Sequence, residues 1–400
     1  MYRVILFIVV LMGLPLRAQE AMPAADTAAL LLETLALVPD NENSRFILYY
    51  GDFEAALAAR GLMRLSSTEI MQGGSDLARL VGVALPRYFS FLQTFNFGTN
   101  MVDVVGFDLL DIARGVEFGR SPQQGLALLG AFEGDAVAAA HQARGYAAVA
   151  EGTVSVWCLE GDCTRGIDSD FSRREIANIF GGDLGRSQPV GIIGDRGVFS
   201  SPIEAIFNDM VAAADGNIPT LADAPEFQAL AHALSSLGVV RQLLSSDPTL
   251  LYAPDFPGRR TPDPRPVGTL PQYGAFAMAD IVVPEGEIAV VALVYADAEM
   301  AAEAATVLEQ RLATFPAPSE SVEATFVRAG AQRVETTVYA DELTGLHVVM
   351  VLIYAPPPTN RATTQQPEGG SFQAPEPSGR FYERLHRDFV FFLDLPWLRQ

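Results

Sequence analysis

Three times in this chain an apolar run meets an aspartate and continues as an alanine-rich segment. The stretches are "ILYYGDFEAALAARG" (47–61), "GLALLGAFEGDAVAAAHQARG" (125–145) and "EIAVVALVYADAEMAAEAATVLEQRLATF" (287–315). Short runs rich in Val, Ile, Leu and Tyr suit buried strands, and Ala–Leu–Glu segments suit helices. In the third stretch Ala301, Ala305, Leu308 and Leu312 recur at helical spacing and line one face. An aspartate at such a junction can accept the free N–H groups of the first helical turn, which contributes about 1 kcal/mol. Its charge also suits the positive end of the helix dipole. Asp52, Asp135 and Asp297 are therefore read as helix caps rather than catalytic acids. The pattern predicts an α+β fold of two related strand–helix modules with mixed sheets, separated by a helical middle segment.

The first module is expected over 19–165 and the second over 166–355. In the helical middle, Ser201 and Glu204 have the spacing of a capping box with Pro202 in the first turn, and Asp223 and Glu226 repeat the device. Residues 253–272 carry six Pro and two Gly and cannot form a regular element. Residues 356–379 are of low complexity and read as a disordered linker. The segment 380–400 then forms an apolar, aromatic tail.

The chain opens "MYRVILFIVVLMGLPLRAQE", with a cation, a short apolar stretch and Ala18 at a cleavage point. This is the layout of a secretory signal peptide over 1–18, and the apolar run is too short for a membrane span of ~20 residues. No Cys follows it to carry a lipid. The expected location is outside the cytoplasm: periplasm, cell surface or medium. Cys158 and Cys163 should then form a local disulfide.

The formal charge is −21, and loss of Arg3 and Arg17 with the leader makes it two units more negative. Such a charge disfavours nucleic acid and anionic lipid. All 27 cations are Arg. The lack of Lys removes P-loop phosphate binding, pyridoxal Schiff bases and kinase-type transfer.

His141, His232, His347 and His386 are scattered, and no H-E-x-x-H, C-x-x-C-H or G-x-S-x-G motif occurs. No cofactor, metal site or catalytic residue is predicted. The densest acidic loop, "EGDCTRGIDSD", places Glu160, Asp162, Asp168 and Asp170 together; it could be tried as a calcium site, but its spacing is not that of an EF-hand.

The tail carries Phe381, Leu385, Phe389 and Phe392 on one helical side, with Trp397 beyond. These residues are the candidate contact with an envelope protein partner, or peripherally with a membrane surface. The leading expectation is an exported, non-enzymatic envelope scaffold or binding protein. Two alternatives stand beside it. One is a secreted carboxylate-dependent hydrolase of glycans. The other is a solute-binding protein with a hinge near 166–190 or 253–272.

Overall fold

The computed structural model describes residues 24–59, 101–249, 266–356, 379–392 and 395–398. The leader, Gly61, most of the Pro-rich loop and nearly all of the expected linker lie outside the described residues.

Twelve strands form a single sheet: β1 (Ile47–Asp52), β2 (Ile112–Arg120), β3 (Gln123–Gly130), β4 (Tyr146–Ala150), β5 (Ser155–Leu159), β6 (Val190–Ile193), β7 (Gly197–Ser200), β8 (Val239–Ser246), β9 (Ala275–Val283), β10 (Gly286–Tyr295), β11 (Arg333–Ala340) and β12 (His347–Ala355). Their order is β11-β12-β10-β9-β8-β1-β2-β3-β7-β6-β5-β4. The α+β class holds, but the mixed sheets do not: every described pairing is antiparallel. The reason is local. Ser121–Pro122 and Pro284–Glu285 leave two residues between β2 and β3 and between β9 and β10. So short a connection reverses the chain, whereas a parallel neighbour needs a crossover of a dozen residues or more.

Nor does the sheet break at 165/166. β6 and β7 lie beyond that point in sequence, yet they pair with β5 and β3. β1 sits between β2 and β8, in register Tyr49↔Glu117 and Tyr49↔Leu244, and joins the early strands to the late ones.

The helices are α1 (Ala24–Leu35), α2 (Glu42–Phe46), α3 (Phe53–Ala59), α4 (Met101–Val105), α5 (Gly134–Ala143), α6 (Glu204–Ala214), α7 (Pro225–Ser235), α8 (Ala298–Thr314), α9 (Val322–Arg328) and α10 (Arg380–Phe392). Strand alternation divides the core. Leu48, Tyr50, Val116, Phe118, Ala277, Val290 and Val294 point to one face, where Leu31 of α1, Phe207 of α6 and Leu230 of α7 cover them. On the opposite face, α8, α9 and α10 cover the late strands through Leu308, Phe326 and Phe389. There Phe53 of α3 and Val137 of α5 cover the early ones. All ten residues of β10 are buried because both of its faces are covered.

A bulge in β8 sets up the main charged cluster. Val240 opposes Ile281 and Gln242 opposes Asp280, which leaves Arg241 as the extra residue. Simple alternation would send Arg241 to the face away from Gln242; the bulge re-aims it toward Asp280.

Candidate functional site

The junction aspartates divide. Asp52 Oδ1 accepts the Ala55 N–H at 2.7 Å, and Asp297 Oδ1 accepts the Met300 N–H at 2.8 Å. Both are helix caps. Asp135 is not: it lies inside the first turn of α5, whose N-cap is Glu133. The Gly134 N–H instead donates to Asp195 Oδ1 at 2.9 Å, from the turn between β6 and β7. A residue distant in sequence took the role. The two expected capping boxes are also replaced. Ser201 Oγ accepts the Ile203 N–H and donates to Gln124 O, while Asp223 accepts from both the N–H and the hydroxyl of Thr220.

Burial, its largest influence, pushes Asp52 up to about 6 against the Ala55 N–H and Arg114. The nearby Arg114 donates to Glu33 at 2.7 Å. Glu117, on the opposite face of β2, is pushed by burial up to about 8. Its Oε1 accepts from Gln124 at 3.4 Å, and its Oε2 is sealed without a hydrogen-bond partner.

The densest buried charge is Arg241 with Asp280 and Glu287, from β8, β9 and β10. Arg241 Nε donates to Asp280 Oδ2 at 2.8 Å and Nη1 to Glu287 Oε1 at 3.1 Å. Glu287 Oε2 accepts the Gly379 N–H at 2.7 Å, which ties the start of α10 to the sheet. The three side chains are only 0%, 1% and 7% exposed. Glycoside hydrolysis needs two carboxyl groups open to a sugar and a water. Here both acids are held by one guanidinium inside the protein, so the cluster is a fastening between strands. Its sequence signal was a lone charge interrupting an apolar run at Arg241 and at Asp280, while Glu287 opens the run of β10 just after Glu285.

Cys158 and Cys163 are joined as a disulfide, with 4.9 Å between their Cα atoms. The acidic residues within and after this loop take separate local partners. Asp162 accepts from the N–H and hydroxyl of Thr164, and Asp170 does the same with Ser172. Glu160 pairs with Arg165 at 2.8 Å. Among the described residues no group of three or more His, Cys, Asp or Glu side chains could hold a metal ion.

Phe381, Leu385, Phe389 and Trp397 are buried in the molecule's own core. Phe389 packs on Phe276 of β9 and Phe381 against Phe326 of α9, with ring centroids 5.4 and 5.7 Å apart. Arg311 of α8 donates to the Trp397 carbonyl at 3.0 Å. The side chain of Phe392 lies outside the described residues. The side of α10 turned away from this core carries Arg387, which is exposed.

Two concave places are lined by described residues. A groove of about 530 Å³ runs beside α7 and the β11–β12 turn. In it His232 Nδ1 lies 3.2 Å from both oxygens of Asp341, and Thr344 Oγ1 donates to Asp341 Oδ2 at 2.6 Å. Burial raises the Asp341 carboxyl, but the Thr344 and His232 bonds outweigh it and hold the group below its ordinary value. Ser235 follows His232 by three residues on the same helix face. Its hydroxyl has no hydrogen-bond partner, so the trio lacks the nucleophile–base contact that acyl transfer requires. The scattered histidines gave no hint of the His232–Asp341 pair, because its two members lie 109 residues apart.

The second cavity, about 240 Å³, lies beside the Ser121–Pro122 turn. Gln124, Asp183, Arg186, Gln188 and Ser200 contribute its polar lining. Ser200 Oγ is 2.8 Å from Pro189 O and 3.0 Å from Gln188 Oε1.

No protein-family model matches the chain, and no curated protein matches it. Among solved structures, crystal form I of TP0453 is similar over 81% of this chain and 92% of that one, at 10% identity and a TM-score of 0.34. Crystal form III of TP0453 covers 80% and 94%, at 10% identity and a TM-score of 0.33. At these scores the likeness identifies neither fold nor family.

Proposed function

We propose that this is an exported, non-enzymatic protein of the cell envelope that serves as a scaffold or binding module, built from two related strand–helix modules. The observation that carries the reading is the sealed Arg241–Asp280–Glu287 cluster. Where ionisable side chains converge most closely, they neutralise one another and are closed to any substrate. The caps at Asp52 and Asp297 point the same way, because these acids serve backbone donors. The Cys158–Cys163 bridge supports export, since such bonds persist in oxidising compartments.

The modular part of the proposal rests on a repeated order. β1-β2-β3 and β8-β9-β10 are adjacent meanders, each preceded by two helices and followed by a helix that leads to an edge strand. The tail enters as a partner surface through the outer side of α10, with Phe381, Leu385, Phe389 and Trp397 supporting that side from beneath.

Fractionation of the native cell with thiol labelling tests the reading. The full chain is expected in the envelope fraction, with Cys158 and Cys163 unreactive until reduced. A purified protein that cleaves members of a panel of envelope glycans would overturn it in favour of the hydrolase.

A further inference from the structure

The cavity beside the Ser121–Pro122 turn holds two opposite charges that do not pair with each other. Among the described residues Arg186 finds no side-chain hydrogen bond or ion pair, and its Nε is sealed from water without an acceptor. This occurs in a chain with 48 acids for its 27 arginines. Leaving a buried donor unmatched is unfavourable, and more so when the group is charged. Asp183 lines the same cavity, and its side chain has no ion pair or hydrogen bond among the described residues.

The loop that carries both residues is fixed by its backbone. Gly181 and Gly185, at φ +77° and +67°, bracket the short turn over Asp183. A Cβ at Gly185 would fall 1.8 Å from the Asp170 carbonyl oxygen, so the loop lies directly against that backbone. The Arg186 N–H donates to the Gly181 carbonyl at 3.0 Å and closes the turn. The backbone that carries the two charges is thus set in advance of any ligand, which lowers the ordering cost of binding.

We propose that this cavity binds a small zwitterion of the α-amino-acid class, with the ligand carboxylate on the Arg186 guanidinium and its ammonium on Asp183. A planar guanidinium suits a carboxylate through two parallel hydrogen bonds. A simple anion would leave Asp183 unmet, and a simple amine would leave Arg186 unmet. Gln124, Gln188 and Ser200 supply neutral partners for the rest of the molecule. The 240 Å³ of space equals the share of about eight waters at about 30 Å³ each, which accommodates a small amino acid. The inference deepens the proposed function: it rests on the reading that the protein binds and does not transform its ligand.

Saturation-transfer NMR and calorimetry on the full chain test it, with glycine, L-alanine and L-glutamine as probes and propionate and ethylamine as half-ligands. At least one amino acid should bind, and each half-ligand should bind about tenfold more weakly or worse. Arg186→Gln and Asp183→Asn should each weaken binding about tenfold or more, while Arg186→Lys retains part of it as a point charge. Asp183 is partly exposed, so its variant keeps the test sound should Arg186→Gln not fold. Failure of all three amino acids to bind at millimolar concentration overturns the site. So does a propionate affinity equal to that of the best amino acid, or an Asp183→Asn variant that binds like the parent. These results leave the proposed function standing. Chemical conversion of a bound amino acid would do the reverse, overturning the non-enzymatic reading and retaining the site.

Discussion

Glu117 is a carboxyl whose surroundings favour its neutral form. It lies opposite Tyr49 in the sheet, with Gln124 as its one hydrogen-bond donor and Oε2 without any. Burial alone takes it from 4.5 to about 8. The folded chain therefore keeps this proton in a range where the unfolded chain has lost it. The corresponding stability is complete below about pH 4.5 and is lost as pH rises through about 8, by up to ~5 kcal/mol at 1.36 kcal/mol per unit. Glu117→Gln keeps the shape and removes the titration. Urea unfolding should find the variant close to the parent at pH 4 and the more stable of the two at pH 9. A difference that does not change with pH would refute the assignment.

The caps make a second residue-level comparison. Asp297→Ala should cost about 1 kcal/mol in thermal or urea unfolding, whereas Asp135→Ala should cost little, because Asp195 serves that helix start. The sequence pattern placed an aspartate near each junction correctly. It could not distinguish a residue that caps from one seated inside the first turn, because the alternative acceptor came from 61 residues away.

At the level of elements, what was legible followed periodicity. The strands expected at 45–50, 125–132 and 288–295 overlap β1, β3 and β10 with their ends shifted by up to two residues, and a helix follows each, since burial dictates both the apolar runs and the helical spacing. The pairing direction was not legible as mixed or antiparallel from the runs themselves. It follows in part from two-residue connections, Ser121–Pro122 and Pro284–Glu285, which lie outside the apolar runs. The re-aiming of Arg241 was also invisible, because a bulge is a property of two strands together. That bulge makes a prediction at the same scale. Arg241→Met removes the cation and leaves Asp280 and Glu287 facing each other without it. Loss of one partner from a buried ion cluster costs about 3–5 kcal/mol. The loss should shrink as pH falls and Asp280, whose carboxyl burial raises to about 6, takes up a proton, so unfolding at pH 7 and at pH 5 should separate this electrostatic cost from lost packing. An equal cost at both pH values would identify Arg241 as filler.

The whole molecule turns on β1. Six strands lie to one side of it, β2 to β7, and five to the other, β8 to β12, and its two edges bond to both groups. A chain of two independently folded halves would show two transitions; a sheet joined through its centre should show one. The sequence supplies the reporters, since its two tryptophans lie in different halves. Trp157 is on β5, near the β4 edge, and Trp397 is buried with the tail against α8 and the late strands. Trp157→Phe and Trp397→Phe each leave one fluorophore. Their urea transitions, recorded separately, should share a midpoint and slope and coincide with the loss of far-ultraviolet circular dichroism, the test of cooperative unfolding. A Trp397 signal that melts before the rest would mean that the tail detaches from an intact sheet. Phe381, Leu385 and Phe389 would then be available to a partner, and the aromatic side of α10, rather than its outer side, would become the contact. Coincident curves would keep those side chains in the common core and confine recognition to surfaces that the folded sheet already presents.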